Sequence, residues 1–144
     1  MNKNEQFMLL ALTEGRLALP WCLPNPPVGC VLVRDNIVIS SGYTQPPGER
    51  HAEAMALSQL TGSRKGLTAF VTLEPCAFHG RTPSCAKALI NEGVEHVFVA
   101  MLDPDPRNSG TGIKILRDAG VSVEIGLMAE EAAADLNQFL RLNN

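Results

Sequence analysis

The sequence predicts an α/β protein, a three-layer α/β/α sandwich around a mixed sheet of about five strands. Three observations predict it. Residues 28–41 carry two β-branched runs separated by a polar break, strand and helix patterns alternate after residue 51, and 144 residues suit a single domain. A chain of this size buries about 68–70% of its unfolded surface, so it needs no disulfide or metal merely to fold. With 45% hydrophobic and 19% charged residues it has ordinary globular composition.

The elements follow in order. From Asn4 to Leu19, apolar residues at Phe7, Leu10, Ala11 and Ala18 have helical spacing, and Pro20 must end the helix. Leu23-Pro24-Asn25-Pro26-Pro27 reads as a rigid turn with little freedom to lose on ordering. Val28–Val33 and Ile37–Ser41 form a hairpin across Arg34-Asp35-Asn36. After the loop 45–50, His51 opens a helix marked by Ala52, Met55, Ala56 and Leu60, which stops near Gly62. Leu67–Leu73 is a strand, and a helix follows Pro83 with Ala86, Leu89 and Ile90 inward. Val94–Met101 is nearly continuously apolar, as for a strand covered on both faces. Ile113, Leu116 and Ala119 mark a helix closed by Gly120, Val121–Ile125 a short strand, and Glu130–Leu140 a last amphipathic helix. The right-handed crossover rule makes the last three strands parallel neighbours.

Charge and cysteine usage narrow the function. A formal net charge of −3 with no basic run disfavours a phosphate-tracking surface, so no nucleic-acid partner is expected. The apolar stretch Phe7–Leu12 is too short to span a bilayer and lacks a cleavage pattern, so neither membrane nor export is expected. That places the chain in the reducing cytoplasm, where four cysteines point to metal or packing rather than disulfides.

Two clusters carry chemistry: His51-Ala52-Glu53, and Glu74-Pro75-Cys76 answered by Pro83-Ser84-Cys85. Each is expected to open a helix, where the positive dipole end favours thiolate over thiol. Cys76 and Cys85 would lie on opposite faces of one continuous helix. Gly80 and Pro83 interrupt it, so Cys85 can return to Cys76 on a loop. A His and two Cys make three protein ligands for Zn²⁺ and leave a fourth position for water, the arrangement of a catalytic rather than a structural site. Glu53, two residues from a ligand, suits a proton shuttle. His-x-Glu followed by Pro-Cys-x-x-Cys marks zinc deaminases; the first cysteine fits that pattern and the second comes later.

Pro24-Asn25-Pro26-Pro27-Val28-Gly29-Cys30-Val31, His51-Ala52-Glu53, Thr72-Leu73-Glu74-Pro75-Cys76 and Gly80-Arg81-Thr82-Pro83-Ser84-Cys85 together resemble the pyrimidine deaminase domain of riboflavin biosynthesis. Asp103-Pro104-Asp105-Pro106, Gly110-Thr111-Gly112 and Ala119-Gly120-Val121 continue the likeness over nearly the whole chain. The resemblance implies a cytidine deaminase-like fold, zinc, and a ring amine as substrate, 2,5-diamino-6-ribosylamino-4(3H)-pyrimidinone 5′-phosphate. It also implies substrate contacts at Asn25, Arg81 and Asp103, and a homodimer or higher homo-oligomer. Many members carry a reductase domain after the deaminase. Here the expectation is a single deaminase domain over residues 1–144, without a reductase domain and served by a separate one. The family commonly has His two residues after the first cysteine; this chain has Phe78 there and His79 next. A phenyl ring removes a hydrogen-bond partner and adds a stacking surface, so Phe78 and His79 join the substrate-facing set, and a different aminated heterocycle (a pteridine, a nucleoside or a specialised precursor) stands as the alternative.

Blander readings stand beside these. Cys22 or Cys30 could close a structural zinc site, although Cys30 in an apolar strand reads first as a small buried hydrophobe. Glu53 could cap a helix, Arg81 could be an exposed cation, and Asp103 before Pro104 could start a turn. A zinc-binding module without turnover is the non-enzymatic alternative.

Overall fold

The computed structural model describes residues 1–78 and 84–140. Its elements are α1 (Lys3–Arg16), β1 (Gly29–Arg34), β2 (Ile37–Tyr43), α2 (Ala52–Ser58), β3 (Thr68–Val71), α3 (Cys85–Asn91), β4 (His96–Val99), α4 (Thr111–Asp118), β5 (Ser122–Ile125) and α5 (Ala129–Leu136), followed by a 3-10 turn at Asn137–Phe139. They build an α/β fold on a five-stranded mixed sheet in the order β2-β1-β3-β4-β5. β1 runs antiparallel to both β2 and β3, while β3, β4 and β5 are mutually parallel.

Local chemistry explains the elements. Asn2 and Glu5 form a reciprocal capping box at the start of α1. Asp35 and Asn36 both hold positive φ, the conformation a two-residue hairpin loop needs and these side chains tolerate. α1 packs on β1, β2 and β3 and meets α5; α2 packs on β1 and β2, then meets α3, which meets α4. These two groups of helices form the outer layers. Phe70 joins sheet to helix: it stacks on Phe98 with centroids 4.7 Å apart and meets Phe7 of α1 at 5.3 Å.

Several element ends differ from the sequence reading. α1 stops at Arg16, short of Leu19, because the Leu17 and Ala18 N–H groups bond back only three residues, to Glu14 and Gly15, tightening the chain before Pro20. The strand ladders are shorter: Thr72 and Leu73 leave β3, and Val94, Ala100 and Met101 lie outside β4. Cys76 does not open a helix; residues 74–78 have no regular secondary structure.

The register brings distant segments to one end of the sheet. Gly29 pairs with Tyr43, Cys30 with Val71, and Val71 with Val99. The chain entering β1 and the chain leaving β2, β3 and β4 therefore converge there. No helix among the described residues is long and apolar enough to cross a membrane.

Candidate active site

The converging segments enclose a cleft of about 210 Å³ lined by Asn25, Pro26, Val28, Thr44, His51, Glu53, Leu73, Glu74, Cys76, Phe78 and Asp103. His51 is the N-cap of α2, and Cys85 is the first residue of α3. α2 can approach this closely because Gly42 faces it: a Cβ there would run into the Ala52 carbonyl and the Ala56 N–H.

His51 Nδ1 lies 3.3 Å from Cys85 Sγ and 3.8 Å from Cys76 Sγ, and the three donor atoms are all within 4.8 Å of one another. Metal bonds of about 2.3 Å to sulfur and 2.0–2.1 Å to nitrogen, at tetrahedral angles, put ligand atoms roughly 3.5–3.8 Å apart. The donor set fits a tetrahedral metal ion. It is the only such group among the described residues, and Cys22 and Cys30 are not part of it. Both are fully buried, and burial raises their thiol pKa values, as for small apolar side chains.

The two sulfurs behave as a coupled pair. Cys76 is lowered to about 4, first by its hydrogen bond with Cys85 and then by His51 and the Cys85 backbone N–H, which donates to its Sγ at 3.2 Å. Cys85 is pushed up by the same contact with Cys76 and by burial. One thiolate thus forms readily and opposes the second until a cation arrives. The hydrogen bond with Cys76 also raises His51.

Glu53 is 4% exposed. Desolvation raises its carboxyl, with help from the Cys76 charge, to about 7. A buried carboxyl poised near neutrality beside a metal-ligand set can both accept and return a proton.

The remaining expected residues divide in two. Asn25, Phe78 and Asp103 line the cleft. His79 and Arg81 lie outside the described residues. Phe78 is 45% exposed and carries the Arg107 guanidinium 5.2 Å from its ring centroid. Arg107 is in turn held by both carboxylate oxygens of Asp105. Asp103 does start a turn, its Oδ1 accepting from the Asp105 N–H, while also facing the cleft.

The sequence reading missed three side chains. Thr44 Oγ1 accepts from Val28 N and donates to the Pro26 carbonyl, fastening the Asn25-side wall. Glu74, 3% exposed, accepts from the N–H groups of Asp103, Gly110 and Ile113. It thereby caps α4 from the cysteine loop. Asn108, fully buried, accepts from the Ala77 N–H at 2.9 Å. Only Glu74 had a signal, its place beside Pro75-Cys76.

Residues 1–101 match the family described as the cytidine and deoxycytidylate deaminase zinc-binding region. The chain belongs to this family. Among its relatives, the riboflavin biosynthesis protein RibD of Aquifex aeolicus (strain VF5) is 44% identical over 135 residues, covering 94% of this chain and 38% of that protein. The diaminohydroxyphosphoribosylamino-pyrimidine deaminase of Buchnera aphidicola subsp. Schizaphis graminum is 42% identical over 130 residues, 90% of this chain and 88% of the relative. The solved structure of Acinetobacter baumannii RibD, form 2, superposes with a TM-score of 0.91 at 43% identity, covering 96% of this chain and 39% of that one. The deaminase-family chain thus spans little more than a third of the RibD proteins, and nearly all of the Buchnera relative.

Proposed function

We propose that this chain catalyses zinc-dependent hydrolytic deamination of an exocyclic amine on a pyrimidine-type small molecule, with 2,5-diamino-6-ribosylamino-4(3H)-pyrimidinone 5′-phosphate as the leading substrate. The observation that carries this reading is the buried Glu53, which lines the same cleft as His51 and Cys76, the donor set that Cys85 completes. The RibD and pyrimidine-deaminase relatives support the substrate class.

In this reading His51, Cys76 and Cys85 hold zinc, which supplies Lewis-acid activation of a water molecule. Glu53 takes a proton from the attacking water and delivers it to the ring nitrogen. It then carries the second proton to the departing amine. The carbon–nitrogen bond breaks, ammonia leaves, and the ring carbon keeps the water oxygen as a carbonyl. No redox change occurs. Asn25 offers both a donor and an acceptor to the heterocycle edge, Phe78 offers a stacking face, and Asp103 accepts from ring or substituent N–H groups. His79 and Arg81 belong to the same proposed substrate-facing set.

One observation favours the alternative, another aminated heterocycle. Phe78 lines the cleft with a half-exposed ring and no polar atom of its own. Ammonia release from aminopyrimidines, aminopteridines and nucleosides separates the two. Glu53→Ala should abolish release while zinc content is retained; no turnover of any compound by the zinc-loaded wild type would leave the non-catalytic module. The proposal includes a homo-oligomeric enzyme in the reducing cytoplasm, where its four free cysteines stay reduced.

A further inference from the structure

Two buried side chains tie the cysteine loop to the loop after β4. Glu74 binds main chain only. Asn108 is different, because its two amide atoms serve two parts of the site. Its Oδ1 accepts from the N–H of Ala77, the residue after Cys76, at 2.9 Å. Its Nδ2 donates to Asp103 Oδ2 at 3.3 Å. A backbone N–H can only donate and a carboxylate can only accept, so the amide has one orientation that satisfies both. Its main chain is held too: the Asn108 N–H donates to the Asp105 carbonyl, and the Thr111 N–H to the Asn108 carbonyl.

Asp103 is thereby aimed from both oxygens. Oδ1 accepts from the Asp105 N–H at 2.9 Å and Oδ2 from Asn108, while the residue lines the cleft beside Phe78 and Asn25. A carboxylate has lone pairs beyond these two bonds, so it can still accept from a ligand. Nothing else among the described side chains is bonded both to the segment following a proposed metal ligand and to a cleft-facing carboxylate.

We propose that Asn108 is a positioning residue with two separable effects: through Ala77 it holds the backbone that carries Cys76, and through Asp103 it aims the carboxylate that receives substrate. The second effect rests on the deaminase reading; the first does not. Asn108→Asp keeps an acceptor for Ala77 but sets a second carboxylate against Asp103. Asn108→Leu, of similar size, removes both bonds. The pair Asp103→Asn with Asn108→Asp restores both with donor and acceptor exchanged, moving the negative charge from position 103 to position 108.

The test measures zinc release to a chelator from the zinc-loaded full chain, together with kcat and KM for ammonia release. Outer-shell groups around metal ligands typically change affinity 10–100-fold, so N108L should release zinc about tenfold faster. N108D should release it at the wild-type rate, with KM raised about tenfold, a tenfold change being about 1.4 kcal/mol, and kcat little changed. The exchanged pair should regain wild-type melting and keep wild-type zinc release while its KM stays high. Three results overturn the proposal: wild-type zinc release from N108L, unchanged KM in N108D, or wild-type KM in the exchanged pair, which would make Asn108 a loop brace only. Absence of turnover by the wild type would sink the deaminase reading instead, and zinc release from N108L would still decide the Ala77 arm.

Discussion

The backbone N–H of Cys85 donates to the Sγ of Cys76 at 3.2 Å, so the first turn of α3 serves two sulfurs at once. It carries one in its own side chain and solvates the other through its main chain. Cys76 obtains from a neighbouring helix the stabilisation that its own irregular segment cannot provide.

A consequence is measurable in metal-free, reduced protein. With Cys76 lowered to about 4 and Cys85 raised, iodoacetamide should modify Cys76 first. Its rate should stay nearly level from pH 8 down to pH 5, where an ordinary thiol slows about tenfold per unit. Peptide mass mapping after timed quenching reads this. Equal modification of both cysteines, or a steep fall below pH 8, counts against the coupled pair.

Glu53 should make metal-free stability depend on pH. Its carboxyl is raised from 4.5 to about 7 when folded. The folded state therefore binds the proton more tightly, and this group's contribution is full below pH 4.5 and lost as pH rises through 7. Comparing wild type with Glu53→Gln removes the opposing contribution of Cys76. Wild type should lose up to about 3 kcal/mol relative to the variant between pH 4.5 and pH 8. Chelator-treated urea unfolding at both pH values checks it, and parallel curves would contradict it.

Gly112 lies against the carbonyl of Pro75, and a Cβ there would collide with it and crowd the Glu74 side chain. Gly112→Ala should push α4 away from the cysteine loop, lowering stability by about 1–3 kcal/mol, the usual range for overpacking. Zinc retention should fall with it. Thermal melting and metal content after dialysis report the two effects.

Phe78→Ala should raise KM for the preferred heterocycle about tenfold while leaving zinc content intact, since stacking contributes about 0.5–1.5 kcal/mol beyond area burial. Phe78→His should redistribute activity across the amine panel rather than lower it uniformly. A uniform change in kcat with constant KM would place Phe78 outside substrate contact.

The hairpin and the strand–helix alternation were legible because their signals are local: Asp35-Asn36 tolerates positive φ, and apolar periodicity switches between two and 3.6. Where α1 stops was not legible, since that depends on three-residue bonds at Leu17 and Ala18. Asn25, Phe78 and Asp103 line the cleft, whereas His79 and Arg81 lie outside the described residues. Residues 74–78 do not form the expected helix, and the Cys76 Sγ accepts instead from the first N–H of α3. Asn108 left no local trace, as its amide bonds a residue 31 positions away.

The pairing of Cys30 with Val71 also has a meaning in time. His51 lies in the first half of the sequence, after the hairpin, and both cysteines lie in the second, so the antiparallel contact of β1 with β3 is what brings imidazole and sulfur together. Non-local strand pairing is slow compared with hairpin or helix formation. Until that pairing forms, the Cys76 and Cys85 thiols are held apart from His51. Metal capture becomes the event that reports, and then locks, the joining of the two halves.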